Sequence, residues 1–281
     1  MLLLLKRADY NNILKMISLI ISFYRRLDFL ELIFQSLDKQ SYKNFEVILA
    51  EDNNDPLSAE FIKKANPLHN FNIQHVSQKD IGFRKTRILN DAVRSAKGEQ
   101  IVFIDGDCVL HKHFLKEYEK GITSTHFCYG RRVFCSKKHT DILLQSRSVK
   151  KCNILWAFLY GGRSIGAGLY IPFKINKDKQ HRRILGCNWG ILKKNILAVN
   201  GFDEDYNRAG VGEDFDIDWR LKKYGLKVRS MKGKAIVFHM YHKANYRPSD
   251  TEYVEKLMAE KKITGNSFCV NGIGQKHTLT E

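Results

Sequence analysis

Between residues 16 and 107 the chain alternates two spacings of apolar residues. MISLIISF (16–23) is a near-continuous apolar run, the pattern of a strand covered on both faces. RRLDFLELIFQSLDKQ then places Leu27, Leu30, Ile33, Phe34 and Leu37 at i, i+3, i+6, i+7 and i+10, which predicts an amphipathic helix. FEVILAED (45–52) predicts a second strand with a polar end. Residues 57–66 read as a helix that stops before Pro67. FNIQHVS (71–77) is a third strand. A helix follows over 84–97 with Gly98 as its C-cap, and EQIVFIDGD (99–107) is a fourth strand.

Strands alternating with helices in this order predict an α/β fold, a mostly parallel sheet with helices on both faces. Ligands of such sheets collect at the carboxyl ends of the strands. The polar residues fall there: Glu51-Asp52 after the second strand and Asp105-Gly106-Asp107 after the fourth. The second half is less regular. It holds a glycine-rich stretch (Gly161-Gly162, Gly166, Gly168), an acidic stretch at 203–218, a strand AIVFHMYH (235–242) and a weakly structured tail from Gly265.

Charge narrows the choice of partner. Lys and Arg number 47 against 30 Asp and Glu, a net charge of +17, which calls for a polyanionic neighbour: nucleic acid, an acidic membrane face or phosphorylated substrates. The basic residues are spread along the chain with no helix-turn-helix, zinc or RNP-type motif, which argues against a nucleic-acid-binding protein. A nucleotidyltransferase would want a glycine-rich phosphate loop after the first strand, where this chain has Phe23-Tyr24-Arg25-Arg26. The six cysteines show no C-x2-C spacing, and the apolar run Leu2 to Leu5 is too short for a signal peptide, so a reduced, cytosolic setting is expected. No stretch reaches the roughly 18 apolar residues that would span a bilayer.

Two aspartates one residue apart at the end of a buried strand repel each other when ionised, and a hard divalent cation relieves that repulsion. Gly106 between them lets the backbone turn and a ligand approach. Seven of the 30 acids sit within residues 203–218. A helix starting near Gly212-Glu213 and closing at Gly225 accounts for Asp216 and Asp218 through its dipole. Glu213-Asp214, at a start hinged by Gly210-Val211-Gly212, is placed instead as a general base under a loop that closes over substrate. His239 follows the apolar run AIVF, where a lone histidine is more often a satisfied core residue, and either it or His242 could complete an aspartate site from another strand. His242, three residues on, would point to the opposite face of the same strand. Trp189, between glycines in GCNWG, suits either a sugar face or the core.

Four blocks carry a resemblance. SLIISFYRR, SLDKQSYKNFEVILAEDNN and GFRKTRILNDAVRSAKGEQIVFIDGDC resemble the nucleotide-binding half of glycosyltransferase family 2. GCNWGILKKNILAVNGFDEDYNRAGVGEDFDIDWRL is similar to the C-terminal module of β-1,4-galactosyltransferases and bacterial chondroitin-synthase-like enzymes. The resemblance implies a GT-A fold and inverting transfer of a hexose or N-acetylhexosamine, Gal or GalNAc favoured, from a UDP-sugar to a glycan or lipid-linked glycan acceptor. It implies Mn2+ or Mg2+ on Asp105, Asp107 and His239, Asp214 as catalytic base, and Glu213 as an acceptor-binding carboxylate. It places Glu51 and Asp52 at the uracil and ribose, Ser22, Tyr24 and Arg26 around the base, and Arg84 near the diphosphate; Gly106 and Trp189 complete the expected donor site. The implied setting is bacterial surface polysaccharide or lipo-oligosaccharide synthesis, with peripheral contact at the anionic inner face of the cytoplasmic membrane. The expected organisation is an extension over 1–15, a nucleotide-sugar-binding half over 16–110, an acceptor-binding and catalytic half over 111–245, and a C-terminal helix and tail over 246–281.

Overall fold

A computed structural model describes residues 16–175, 177–210, 212–243 and 248–274. The expected N-terminal extension, the hinge residue Val211 and the last residues of the tail lie outside them. The first half holds strands β1 (Ile17–Phe23), β2 (Phe45–Glu51), β3 (Asn72–Ser77), β4 (Gln100–Asp105) and β5 (Cys108–Leu110), with helices α1 (Leu27–Asp38), α2 (Pro56–Ala65) and α3 (Lys85–Ser95) between the first four. Then follow α4 (Phe114–Gly121), β6 (His126–Tyr129), β7 (Arg131–Phe134), α5 (Lys137–Ser146) and α6 (Ile154–Leu159). The remainder is β8 (Asn188–Leu192), α7 (Lys193–Ala198), α8 (Gly212–Lys223), β9 (Lys227–Ser230), β10 (Ile236–His239) and α9 (Pro248–Thr264).

Seven strands form one sheet in the order β3-β2-β1-β4-β8-β6-β9. The first four are parallel, as the alternating pattern requires; β8 runs antiparallel between β4 and β6, and β9 is parallel to β6. The period-2 rule sorts β1 cleanly. Leu19 and Ile21 face a core shared with Leu30, Ile33, Phe34 and Leu37 of α1, while Ile20 faces a second core with Ile88, Ala92 and Val93 of α3. A smaller sheet, β5-β10-β7, has its own apolar cluster, with Val133, Phe238 and Ala157.

One cap differs from expectation. Helix α3 stops at Ser95 and Ala96 leaves it in an extended conformation, so Gly98 is not a helix cap. Gly98 is required for space: a Cβ there would lie 2.5 Å from the Met16 carbonyl oxygen and 2.7 Å from the Ser18 amide nitrogen. Its own amide donates to Ser18 Oγ at 2.8 Å, which ties the entry of β4 to β1.

Candidate functional site

The parallel register sets Ser22, near the end of β1, beside Asp105, the last residue of β4. Ser22 Oγ donates to Asp105 Oδ1 at 2.8 Å, and the Gly106 amide donates to the Ser22 carbonyl at 2.7 Å. Gly106 is needed for this close approach rather than for an unusual φ, since a Cβ would meet Phe23 Cβ at 2.5 Å. The turn at Gly106-Asp107 then carries the chain out of the large sheet and into β5, in the small one.

That switch brings the histidines in. β5 pairs antiparallel with β10, Cys108 opposite His239, and the Met240 amide donates to the Asp107 carbonyl at 2.8 Å. His239 Nε2 lies 3.4 Å from Asp107 Oδ2 and His242 Nε2 only 2.9 Å from it. The expectation that the two histidines diverge fails because β10 ends at His239, so the strand's alternation does not extend to His242. His242 Nδ1 lies 2.9 Å from the Lys243 carbonyl, which can only accept, so Nδ1 carries a proton and Nε2 is presented to Asp107. The hydrogen bond to Asp107 pushes the His242 imidazole up to about 9. Burial lowers that of His239.

One oxygen and two nitrogens with donor atoms all within 4.8 Å of one another fit a divalent transition-metal ion. Asp105 is not in this group. Its carboxylate is turned to Ser22 and to Lys85, whose Nζ is 2.9 Å away. Of the expected ligands Asp105, Asp107 and His239, the last two lie together with His242 in a group that could hold an ion, while Asp105 faces Ser22 and Lys85.

Lys85 opens α3 and reaches two clusters. Besides Asp105, its Nζ lies 3.6 Å from Glu213 Oε1 in the first turn of α8. Burial disfavours its charge, but Asp105, Glu213 and Asp214 together hold its pKa well above the ordinary lysine value. Glu213 is buried, and that burial raises its pKa. Asp214 Oδ2 accepts from the Gly186 amide at 2.8 Å, a bond that only glycine permits because a Cβ at 186 would strike the carboxylate. Burial, then the neighbouring Glu213 charge, push the Asp214 carboxyl up to about 8 against the pull of Lys85.

The rest of the acidic stretch is structural. Asp216 and Arg220 form a buried i,i+4 pair at 2.7 Å, with the guanidinium also donating to the Val199 and Gly201 carbonyls. Asp218 pairs with Lys222 at 2.6 Å and accepts from the Ile184 amide. Both do more than complement the helix dipole: they pin α8 to the segments beside it.

Other expected donor-site residues are distributed unequally. Tyr24 is half-exposed and donates to Asp80 at 2.9 Å. Asp52 accepts from Gln78 and from the Arg84 amide, both at 2.6 Å. The Arg84 side chain turns back to the Lys79 carbonyl, so Lys85, not Arg84, stands next to Asp105. Glu51 is fully buried and committed to Ser58 (2.5 Å) and His75 (2.8 Å), which withdraws it from ligand contact. Arg26 is paired with Asp28 and lies over the Phe29 ring at the start of α1. Trp189 is a core residue, 1% exposed and stacked on Phe103 with centroids 4.5 Å apart, so it offers no face to a sugar. Sequence reasoning passed over Lys85 and Gly186 as site residues. The one available signal was a lysine opening a helix whose next turns are apolar, and it is weak because lysines usually face water.

A family model described as glycosyl transferase family 2 matches residues 18–196, and one described as the N-terminal domain of galactosyltransferase matches residues 173–243. Among curated proteins, the hyaluronan synthase of Pasteurella multocida is 25% identical over 252 residues, covering 84% of this chain and 26% of that protein. The chain thus spans about a quarter of that relative's length. S. aureus TarS superposes with a TM-score of 0.58 at 16% identity, covering 87% of this chain and 39% of that one. The mannosyltransferase PcManGT from Pyrobaculum calidifontis, solved with GDP-Man and Mn2+, gives 0.56 at 15% identity, covering 88% and 64%. GalNAc-T7, solved with UDP, GalNAc and Mn2+, gives 0.62 at 15% identity, covering 87% and 47%. The shared architecture is the GT-A fold.

Proposed function

We propose that this chain, which belongs to glycosyl transferase family 2, transfers a hexose or N-acetylhexosamine from a UDP-sugar to a hydroxyl of a glycan acceptor, with inversion at the anomeric carbon. One observation carries this reading. Lys85 spans from Asp105, at the strand end next to the candidate metal group, to Glu213, next to Asp214, so the two acidic motifs meet around one lysine. A structure of S. aureus TarS contains UDP-GlcNAc and that of GalNAc-T7 contains UDP and GalNAc, which supports a UDP-linked amino sugar as donor; the galactosyltransferase-type match supports Gal or GalNAc.

Asp107, His239 and His242 would hold the divalent cation, which supplies Lewis-acid stabilisation of the departing diphosphate. Lys85 adds a fixed positive charge at the carboxyl end of β4, where that charge develops. Asp214 is held by one oxygen on the Gly186 amide, which leaves the other to take the proton of the attacking hydroxyl. Glu213, adjacent and buried, orients the acceptor; burial, then the Glu213 charge, raises the Asp214 carboxyl to about 8, so it serves as base through its ionised fraction, which grows as pH rises. A screen of UDP-sugars for hydrolysis in the presence and absence of Mn2+ tests the reading. Mn2+-dependent release of UDP from UDP-Gal, UDP-GalNAc or UDP-GlcNAc is expected; no turnover of any UDP-sugar would overturn it.

The setting proposed is synthesis of bacterial surface polysaccharide or lipo-oligosaccharide, with the chain seated on the anionic cytoplasmic face of the membrane. Leu155, Phe158 and Leu159 lie at i, i+3 and i+4 of α6 and are all more than half exposed. Lys150 and Lys151 precede them in sequence. Apolar side chains among lysines suit the headgroup boundary of an anionic bilayer. Among the described residues no helix is long and apolar enough to cross a membrane. Binding to vesicles of phosphatidylglycerol and phosphatidylcholine, released by salt, is the expected result, and absence of binding at low salt would count against it.

A further inference from the structure

The sheet edge that carries Asp105 has a second feature that the donor site does not use. β8 is antiparallel to β4, and β6 and β9 run antiparallel to β8, so the ends of β6 and β9 emerge on the same edge as the end of β4. There Tyr129, Ile175 and Ser230 line a cleft of about 370 Å3. Six cationic side chains line it: Arg131, Lys174, Lys177, Lys179, Arg182 and Lys232. Among the described residues none of the six makes an ion pair. The acid closest in sequence, Asp178, is committed to His126 at 3.0 Å and Arg229 at 3.5 Å. The cluster is held in register by backbone bonds, Lys179 N to the Val228 carbonyl (2.9 Å) and Ser230 N to the Lys177 carbonyl (3.2 Å), so these lysines are carried by a segment laid along the edge strand.

Six like charges around one concavity repel one another, and a polyanion that spans them relieves the repulsion of all six together. Neighbouring strands lie about 4.8 Å apart, so β6 and β9, the second and third strands beyond β4, put the cleft about 10–15 Å along the edge from Asp105. We propose that this cleft binds the acceptor, and that the acceptor is a polyanionic glycan whose carboxylate, phosphate or sulfate groups lie in it a few sugar units from the hydroxyl being glycosylated. The proposal rests on the glycosyltransferase reading for its word acceptor. The concave shape and its place on the catalytic edge favour a chain over a bilayer, which would meet the convex apolar side chains of α6 instead.

The test uses the full chain and fluorescein-labelled dextran sulfate, with neutral dextran as its uncharged counterpart, followed by anisotropy. Dextran sulfate is expected to bind, with log affinity falling linearly in log salt, and neutral dextran to bind at least about 10-fold more weakly. The charge reversals Lys177→Glu and Lys179→Glu together should weaken dextran sulfate binding by about 10-fold or more and flatten the salt slope. The matched reversals Lys63→Glu and Lys64→Glu on α2, far from the cleft in sequence and on another element, should change it less than twofold, and circular dichroism checks that both variants fold. Equal loss in both pairs, or none in the first, overturns the cleft as the site. So does a Lys177/Lys179 variant that loses phosphatidylglycerol vesicles while keeping dextran sulfate, which would make the patch a membrane contact. If the cleft binds dextran sulfate but no UDP-sugar is hydrolysed, the anion site stands and the glycosyltransferase reading falls.

Discussion

Asp214→Asn is expected to lower sugar transfer by about 10²–10⁴-fold, the usual cost of removing a general base, and to leave Mn2+-dependent UDP binding in place. The amide oxygen of asparagine can still accept from Gly186 N–H, so the loop and α8 keep their positions. What is lost is the capacity to take a proton. In the native chain transfer should rise with pH along an acid limb well above the ordinary carboxylate range, because the Asp214 carboxyl titrates at about 8. The same residue leaves a mark on stability. An unfolded aspartate releases its proton near 4, about four units lower. Between those pH values the folded state binds more protons than the unfolded one, so this group lowers stability as pH rises. The asparagine variant lacks that ionisation, and its melting temperature should fall less between pH 5 and pH 8 than that of the native chain. Near-native turnover of the variant in a radiolabelled sugar transfer assay would remove Asp214 from the mechanism.

Asp107→Ala should abolish the Mn2+ dependence of UDP binding. Asp107 Oδ2 is the atom both imidazoles approach, at 3.4 Å and 2.9 Å, so its loss removes the carboxylate and the element that aims His242. Outer-shell changes at metal sites cost about 10–100-fold in affinity, and loss of a ligand should exceed that. Isothermal calorimetry of UDP with and without Mn2+ reads the effect directly. His242→Ala in the same titration separates a three-residue group from one completed by His239 alone. An Asp107→Ala variant with unchanged Mn2+-dependent affinity would place the cation elsewhere.

Much of the fold was legible because its signals are local. Near-continuous apolar strands separated by helices at 3.6-residue spacing dictate a parallel sheet covered on both faces, and Asp105-Gly106-Asp107 had to fall at a carboxyl end. The acidic start of α8 and its close near Gly225 were equally local. What remained hidden depends on contacts between segments far apart in sequence. The order β4-β8-β6-β9 and the switch of β5 into a second sheet follow from strand pairing that no periodicity encodes. Trp189 and Glu51 show the cost of reading residue type without burial. An aromatic between glycines and a carboxylate at a strand end both looked like ligand contacts, yet one fills the core and the other satisfies His75 and Ser58.

By itself the sequence determined the parallel half of the sheet, the edge on which Asp105 falls, and the two acidic motifs, since apolar spacing and glycine placement act within a few residues. Only the tertiary structure decided which side chains share an atom's reach. It turned His242 toward Asp107 because β10 ends one residue after Phe238, it turned Asp105 away to Ser22 and Lys85, and it gathered six cations, none ion-paired among the described residues, from three separate segments around one cleft. Electrostatics and ligand geometry are fixed by distances of a few ångströms, and those distances are set by packing across the sheet rather than by order along the chain.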